Sequence, residues 1–327
     1  MRYDNIRKQI GENQMLLLAV KAISEEDRAF LAEHDIDVVT PDTITDAQIF
    51  DVVISYAWDN RIGDKILAQS DSKLKWIQTQ SGGVDYLPLQ TLKERGIIVT
   101  NASGLKAEPI AQTVLSYILY FARGLNVYAT RQHWEPFTDQ YMVSELPVLV
   151  FGTGRIGQQI AAQIKGFGGT VYGVNTTGRA VPGFDEVYPI TNYQEGLSKA
   201  RVVVDGLPGT KDTENFFDEY FFEQVNELFL FVNIGRGTTL DQDALLAAID
   251  DSRVRFAALD VTTPEPLPTH HPLFERPQIL LTQHTSWGEH ENYGRTGGLF
   301  RLFKKNVPGF VADGSLTYNV VNLDKGY

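Results

Sequence analysis

The sequence contains no cysteine. Disulfides, thiolate zinc sites and cysteine nucleophiles are thereby excluded. Cations are also scarce: 29 Lys and Arg against 41 Asp and Glu give a formal net charge of -12. None of the cations gather into a run, so the chain offers no basic surface for a phosphate backbone, and no nucleic-acid partner is expected. Long apolar runs are missing as well. The N-terminal run Met15 to Val20 is far shorter than the roughly 20 residues a membrane span requires. It lacks the small-residue cleavage pattern of a secretory leader, so we read a first β-strand of a cytoplasmic protein with no membrane partner. There is no tandem repeat and no low-complexity tract. Of the histidines, His34, His133, His270, His271 and His290 follow no long apolar strand, and no spacing among them suggests a metal site.

What remains is a chain of 327 residues, 43% hydrophobic and 21% charged. That is too long for one ordinary core and suits a two-domain globular protein of enzyme size. Its organising stretch is Val148 to Ile164, VLVFGTGRIGQQIAAQI. An apolar strand runs into Gly-x-Gly-x-x-Gly and then into a helix with Ile156, Ile160, Ala161 and Ile164 on one face. Gly152 permits the tight turn, Gly154 lets the backbone approach a pyrophosphate, and Gly157 lets the helix pack on the strand. The helix start aims free N–H groups and partial positive charge at the anion. The next apolar strand, Thr170 to Val174, ends at Asn175 rather than at the acid that commonly holds the ribose hydroxyls. Thr176 and Arg179 follow. Without a carboxylate to repel a 2′-phosphate, and with Arg179 able to pair with it, the balance tips toward NADP over NAD. Asn175 bonding an NAD ribose is the other reading.

Residues 15 to 100 alternate short apolar runs (Leu16 to Val20, Ile36 to Val39, Val52 to Ile54, Leu74 to Ile77, Ile97 to Val99) with helical patterns, which reads as a second parallel α/β unit. Between its last two strands, Ser81, Gly82 and Gly83 expose backbone N–H groups that can hold a carboxylate. The same Gly-Gly also makes an ordinary turn. A helix with Ile110, Val114, Tyr117, Ile118 and Phe121 at helical spacing carries the chain across, and strands recur at Val202 to Val204, Leu228 to Val232, Phe256 to Leu259 and Ile279 to Leu281. A further helix is expected over Tyr293 to Asn306. The expected division is residues 1–101 with 291–327 as a substrate domain and 102–290 as the dinucleotide-binding domain.

Ligands of open parallel sheets lie at the carboxyl ends of the strands, which singles out Arg236, Glu265 and His284. Arginine's fork bonds a carboxylate and a carbonyl together while staying charged. Histidine exchanges protons near neutrality, and a neighbouring carboxylate, with Glu265 the candidate, would orient it. Each of the three also has a plain structural reading, as an ion pair, a surface acid or a strand-end histidine. Tyr56, Ala57, Trp58 and Trp287 are expected to border a substrate side-chain pocket by their loop positions.

The blocks WIQTQSGGVD (76–85), NASGLKAEPIAQ (101–112), GTGRIG (152–157), LPGTKDT (207–213), VNIGRG (232–237), ALDVTTPEP (258–266) and TQHTS (282–286), taken in order, resemble the D-isomer-specific 2-hydroxyacid dehydrogenases. The ending NVVNLDKGY (319–327) resembles their glyoxylate and hydroxypyruvate reductase-like branch. The resemblance implies an α/β fold with a Rossmann-type dinucleotide-binding domain plus a flavodoxin-like substrate domain, and reduction of a small 2-oxo acid to a D-2-hydroxy acid by NADPH or NADH. It implies that Arg236 holds the substrate, that His284 is the acid/base with Glu265 as its partner, and that Ser81, Gly82 and Gly83 donate to the substrate carboxylate. It places Arg155 and Ile156 at the pyrophosphate, Leu207 and Pro208 along the cofactor, Asn175 at the ribose, and Ile234 with Asp260 at the nicotinamide amide. A homodimer formed around the crossover helix and Trp134 is also implied. Gln112, Gln283 and Asn175 depart from the common pattern without removing a catalytic group. The runner-up is a dinucleotide-sensing, corepressor-like interaction protein on the same fold.

Overall fold

A computed structural model of the chain describes residues 15–287 and 297–326. Two compact units divide it: Met1–Leu105 with Glu289–Tyr327, and Lys106–Gly288. The first unit therefore reaches Leu105, past the boundary expected at residue 101, and the reason is local bonding. The Ala102 N–H donates to Ser81 O, Asn319 Nδ2 donates to the carbonyls of Asn101 and Ser103, and Ala102 is buried in that unit's core. The boundary expected at 290/291 and the first turn of the helix expected from Tyr293 lie outside the described residues.

The first unit holds a five-stranded parallel sheet, β1 (Met15–Ala19), β2 (Ile36–Val39), β3 (Val52–Tyr56), β4 (Trp76–Gln78) and β5 (Ile98–Thr100), in the order β2-β1-β3-β4-β5. That is the flavodoxin-like order. The chain returns at its end, where Thr100 bridges Val320 antiparallel to β5. The helices Gly297–Lys304 and Val307–Asp313 contribute Phe300, Phe303 and Phe310 to the core. Tyr56, Ala57 and Trp58 are buried, with the Tyr56 ring edge-on to Phe300 and Phe303.

The second unit is built on a seven-stranded sheet. Its strands are β6 (Val148–Phe151), β7 (Val171–Asn175), β8 (Glu186–Pro189), β9 (Val202–Asp205), β10 (Leu228–Asn233), β11 (Val254–Leu259) and β12 (Ile279–Leu281), in the order β12-β11-β10-β9-β6-β7-β8. All neighbours pair in parallel. Strand order reverses between β6 and β9, the switch point where such sheets take ligands. Both faces are covered, which is why these strands read as continuous apolar runs. Val148, Val150, Val202 and Val204 face one core with the helices Ala107–Ala122 and Arg155–Gly166. Leu149, Phe151, Val203 and Phe231 face the other, among Phe217, Phe221 and Phe222. Burying each such side chain contributes about 1.5–3 kcal/mol. The sheet thus presents a fixed row of strand ends to the loops that follow it.

Candidate active site

The turn after β6 gives its three glycines three different constraints. Gly152 has φ +100, and a Cβ there would lie 2.9 Å from Gly206 O. A Cβ on Gly157 would lie 2.1 Å from Gly152 O, so the helix start is pressed on the turn. Gly154 has φ -73 as the N-cap of the helix Arg155–Gly166, with no side-chain cap, and a Cβ there would meet nothing within 4 Å. The fold itself does not need glycine at 154, whereas a group seated on the uncapped helix start would. First-turn N–H groups have no intrahelical partner, so this open cradle fits a pyrophosphate. We expect Gly157→Ala to destabilise the fold by about 3 kcal/mol through overpacking. Gly154→Ala should leave stability within about 0.5 kcal/mol yet weaken dinucleotide binding by about tenfold. Thermal melts beside fluorescence titrations of the cofactor separate the two.

At the end of β7 the Asn175 amide is turned into its own loop. Nδ2 donates to Thr153 Oγ1 at 3.1 Å and to Arg179 O at 2.9 Å, while Oδ1 accepts from the Thr177 N–H at 3.1 Å. Both amide hydrogens are in use, so Asn175 shapes the loop and leaves a ribose only one oxygen lone pair. Thr176 and Arg179 stand exposed beyond it. Gly178 at φ +72 lets that loop close on Pro189.

Three strand-end loops after β9, β10 and β11 meet at backbone distance. A Cβ on Gly235 would lie 2.6 Å from Leu207 O, and one on Gly237 would lie 2.0 Å from Thr262 O. Arg236 between these glycines is half-buried; its carbonyl accepts from Asn233 Nδ2 at 3.0 Å. Leu207 and Ile234 are buried beside it, and Pro208 O accepts from Thr213 Oγ1. Glu265, whose Oε1 accepts from the Thr262 N–H at 3.0 Å, places Oε2 2.8 Å from His284 Nδ1. Both side chains remain partly open to solvent, 38% and 44%.

The His284 loop hangs from one buried acid. Asp260 O accepts from the His284 N–H at 2.5 Å. Asp260 Oδ1 accepts from Thr282 Oγ1 at 2.7 Å, from the Thr285 N–H at 2.9 Å and from the Ser286 N–H at 3.0 Å. Since the Thr282 proton goes to Asp260, Thr282 Oγ1 accepts from the Tyr117 hydroxyl of the helix Ala107–Ala122, at 2.5 Å. Burial pushes the Tyr117 phenol up to about 12, so it stays a donor. Asp260 thus braces the His284 loop, with less of its carboxylate free than a nicotinamide-binding role implies. Sequence reading missed Tyr117 and Thr282, and the signal available was a hydroxyl placed among core residues.

The structure therefore joins His284 to Glu265 directly and sets Arg236 in the turn after β10, two strands from the loop after β12 that carries His284. In the first unit, the carbonyls of Ser81 and Gly82 accept from Thr79 Oγ1 and Asn101 Nδ2. Among the described residues the N–H groups of Gly82 and Gly83 have no partner, and Gly82 is exposed. Among the described residues no cluster could hold a metal, and no helix is long and apolar enough to cross a membrane.

The model for the NAD binding domain of D-isomer specific 2-hydroxyacid dehydrogenases matches residues 115–286. Glyoxylate reductase/hydroxypyruvate reductase of Homo sapiens is 31% identical over 242 residues, covering 71% of this chain and 73% of its own. A D-isomer specific 2-hydroxyacid dehydrogenase family protein from Aeromonas salmonicida superposes with a TM-score of 0.79 at 28% identity, over 95% of this chain and 100% of that one. Phosphoglycerate dehydrogenase from Lactobacillus plantarum does so with a TM-score of 0.56 at 35% identity, over 94% and 100%. These relatives favour the enzyme over the corepressor-like reading. With the family model matching more than half of the sequence, on the sheet that carries the Gly-rich turn, this chain belongs to the D-isomer-specific 2-hydroxyacid dehydrogenases and reduces 2-oxo acids with NAD(P)H.

Proposed function

We propose that the chain reduces a small 2-oxo acid of the glyoxylate and hydroxypyruvate class, with NADPH preferred, through Arg236, His284 and Glu265. The observation that carries this reading is the 2.8 Å contact of His284 Nδ1 with Glu265 Oε2 on loops packed against the Arg236 turn. When bound, the nicotinamide cofactor supplies the hydride. Gly152, Gly154, Arg155, Ile156 and Gly157 hold its pyrophosphate, Leu207, Pro208 and Ile234 line its path, and Thr176 and Arg179 meet its adenosine end. Arg236 binds the substrate carboxylate with its fork and polarises the carbonyl. The Gly82 and Gly83 N–H groups add donors to the carboxylate. A carboxylate only accepts, so Glu265 fixes the His284 proton on Nδ1 and leaves Nε2 to protonate the forming alkoxide. The substrate domain is 1–101 with 291–327 and the dinucleotide domain 102–290, adjusted at the first boundary to residue 105. A homodimer through the second unit fits the exposure of Leu125, Tyr128, Met142 and the fully exposed Trp134.

The NADPH preference rests on the loop after β7, which has no acid from Asn175 to Arg179 and an exposed Arg179. Steady-state rates with NADPH and NADH over glyoxylate, hydroxypyruvate, pyruvate and bulkier 2-oxo acids test the whole reading. We expect the small acids to turn over fastest. Arg179→Ala should raise KM for NADPH by about tenfold, as a lost charge-assisted contact implies, and leave KM for NADH unchanged. Equal shifts with both cofactors would remove Arg179 from the 2′-phosphate.

A further inference from the structure

Beneath the Arg236 turn lies an acid that the proposed chemistry does not use. Asp205 closes β9, between Phe151 of β6 and Asn233 of β10, and is fully buried. Its Oδ1 accepts from the Leu207 N–H at 2.8 Å. Its Oδ2 lies 2.5 Å from Thr239 Oγ1, and the same Thr239 Oγ1 lies 2.6 Å from Arg236 O.

Counting hydrogens fixes the protonation. Three oxygens in a row make two contacts of O–H···O length, so two hydrogens are needed between them. The Arg236 carbonyl brings none and the Thr239 hydroxyl brings one. Asn233 Nδ2 approaches from the side, 3.0 Å from Arg236 O and 3.5 Å from Thr239 Oγ1, and fills neither gap. The second hydrogen belongs to the carboxyl. We infer that Asp205 is a neutral carboxylic acid that donates to Thr239 Oγ1, which frees the Thr239 hydroxyl to hold the Arg236 carbonyl, making Asp205 a positioning residue for the substrate-binding arginine.

The surroundings agree. Among the described residues no cation pairs with Asp205, and an unpaired charge there would be costly. Burial pushes its acid up to about 7, against the opposing pull of the Thr239 hydroxyl and the Leu207 N–H. The packed elements bring few charged groups to it. β6 presents Phe151 and β10 presents Asn233, and the turn after β10 carries Arg236 as its one cation. Glu265 lies on the loop packed against Gly237, with His284 as its partner. Lys211, Asp212 and Glu214 on the loop after β9 are exposed, and Asp218 and Asp241 cap the helices Glu219–Glu223 and Gln242–Asp250. Once Asp205 ionises, the Thr239 proton turns to Oδ2 and the Arg236 carbonyl keeps Asn233 Nδ2 at 3.0 Å and the longer bond from the Thr239 N–H at 3.3 Å. The Arg236 carbonyl then loses the shortest of its three hydrogen bonds, and the substrate, not the cofactor, feels it.

The consequence for substrate rests on the role proposed for Arg236, whereas the protonation of Asp205 does not, and the test separates them. Infrared difference spectra of the full chain, wild type minus Asp205→Asn, should show a buried carboxylic-acid C=O band at acidic pH that fades as pH rises through about 7. Thr239→Val should move that fading upward by about one pH unit, because the carboxylate loses its hydroxyl donor. Over the same range the wild-type KM for glyoxylate should rise about fivefold. The neutral amide of Asp205→Asn should keep that KM flat within about twofold, with KM for NADPH unmoved in both proteins. No acid band in the wild type, fading moved downward in Thr239→Val, or an Asp205→Asn KM that tracks the wild-type pH dependence would each overturn the inference. An acid band in a protein that turns over no 2-oxo acid would instead strike at the proposed function.

Discussion

Replacing His284 with alanine is expected to lower kcat by about a thousandfold, the middle of the range for a positioned general acid, while the Kd for NADPH stays within about twofold. The asymmetry follows from where the ring is held. Its backbone N–H is fixed to Asp260 O and its Nδ1 to Glu265 Oε2, both on the β11 side, whereas the pyrophosphate cradle lies on the turn after β6. Truncation at Cβ leaves the Asp260 bonds to Thr282, Thr285 and Ser286 intact, so the loop keeps its shape and only the imidazole proposed as proton donor is lost. Single-turnover rates and fluorescence titration of cofactor, run side by side, check the split. A loss of cofactor affinity as large as the loss of turnover would mean that His284 shapes the cofactor site and does not donate the proton.

How much of this was legible depends on whether the information is local. β6, the turn at Gly152 and the helix at Arg155 are contiguous, and each carries its own signal of apolar run, glycine or amphipathic face. Two parallel α/β units were readable for the same reason, since parallel strands buried on both faces give unbroken apolar runs, while the flavodoxin-like character of the first came from the family resemblance. β8 was not read, because Glu186–Pro189 is a four-residue edge strand with an exposed acid at one end and proline at the other. Arg236, Glu265 and His284 were found by one rule, polarity just past a strand end. That rule names candidates but cannot say which way a side chain turns. Asn175 and Asp260 show the limit, for both stand at strand ends and both bend back to hold their own loops. Asp205 shows it more sharply. Its meaning lies in a hydroxyl 34 residues away, and long-range partners of that kind appear only when the strands are assembled.

Arg236 carries the second large expectation. Arg236→Gln should lower kcat/KM for the 2-oxo acid by about a thousandfold, the sum of two hydrogen bonds between charged groups at about 2 kcal/mol each. Arg236→Lys should recover only about tenfold of that, because lysine keeps the charge and loses the fork. Neither variant should unfold the turn. Its fixed points are backbone atoms: Arg236 O with Asn233 Nδ2 and Thr239 Oγ1, and the two flanking glycines packed on Leu207 O and Thr262 O. Because those anchors survive, the loss must appear in substrate kinetics, with KM rising for the carboxylate and kcat falling for the unpolarised carbonyl. Measuring both constants separates the two duties. A KM untouched by glutamine, with kcat alone depressed, would leave Arg236 the carbonyl and remove it from the carboxylate.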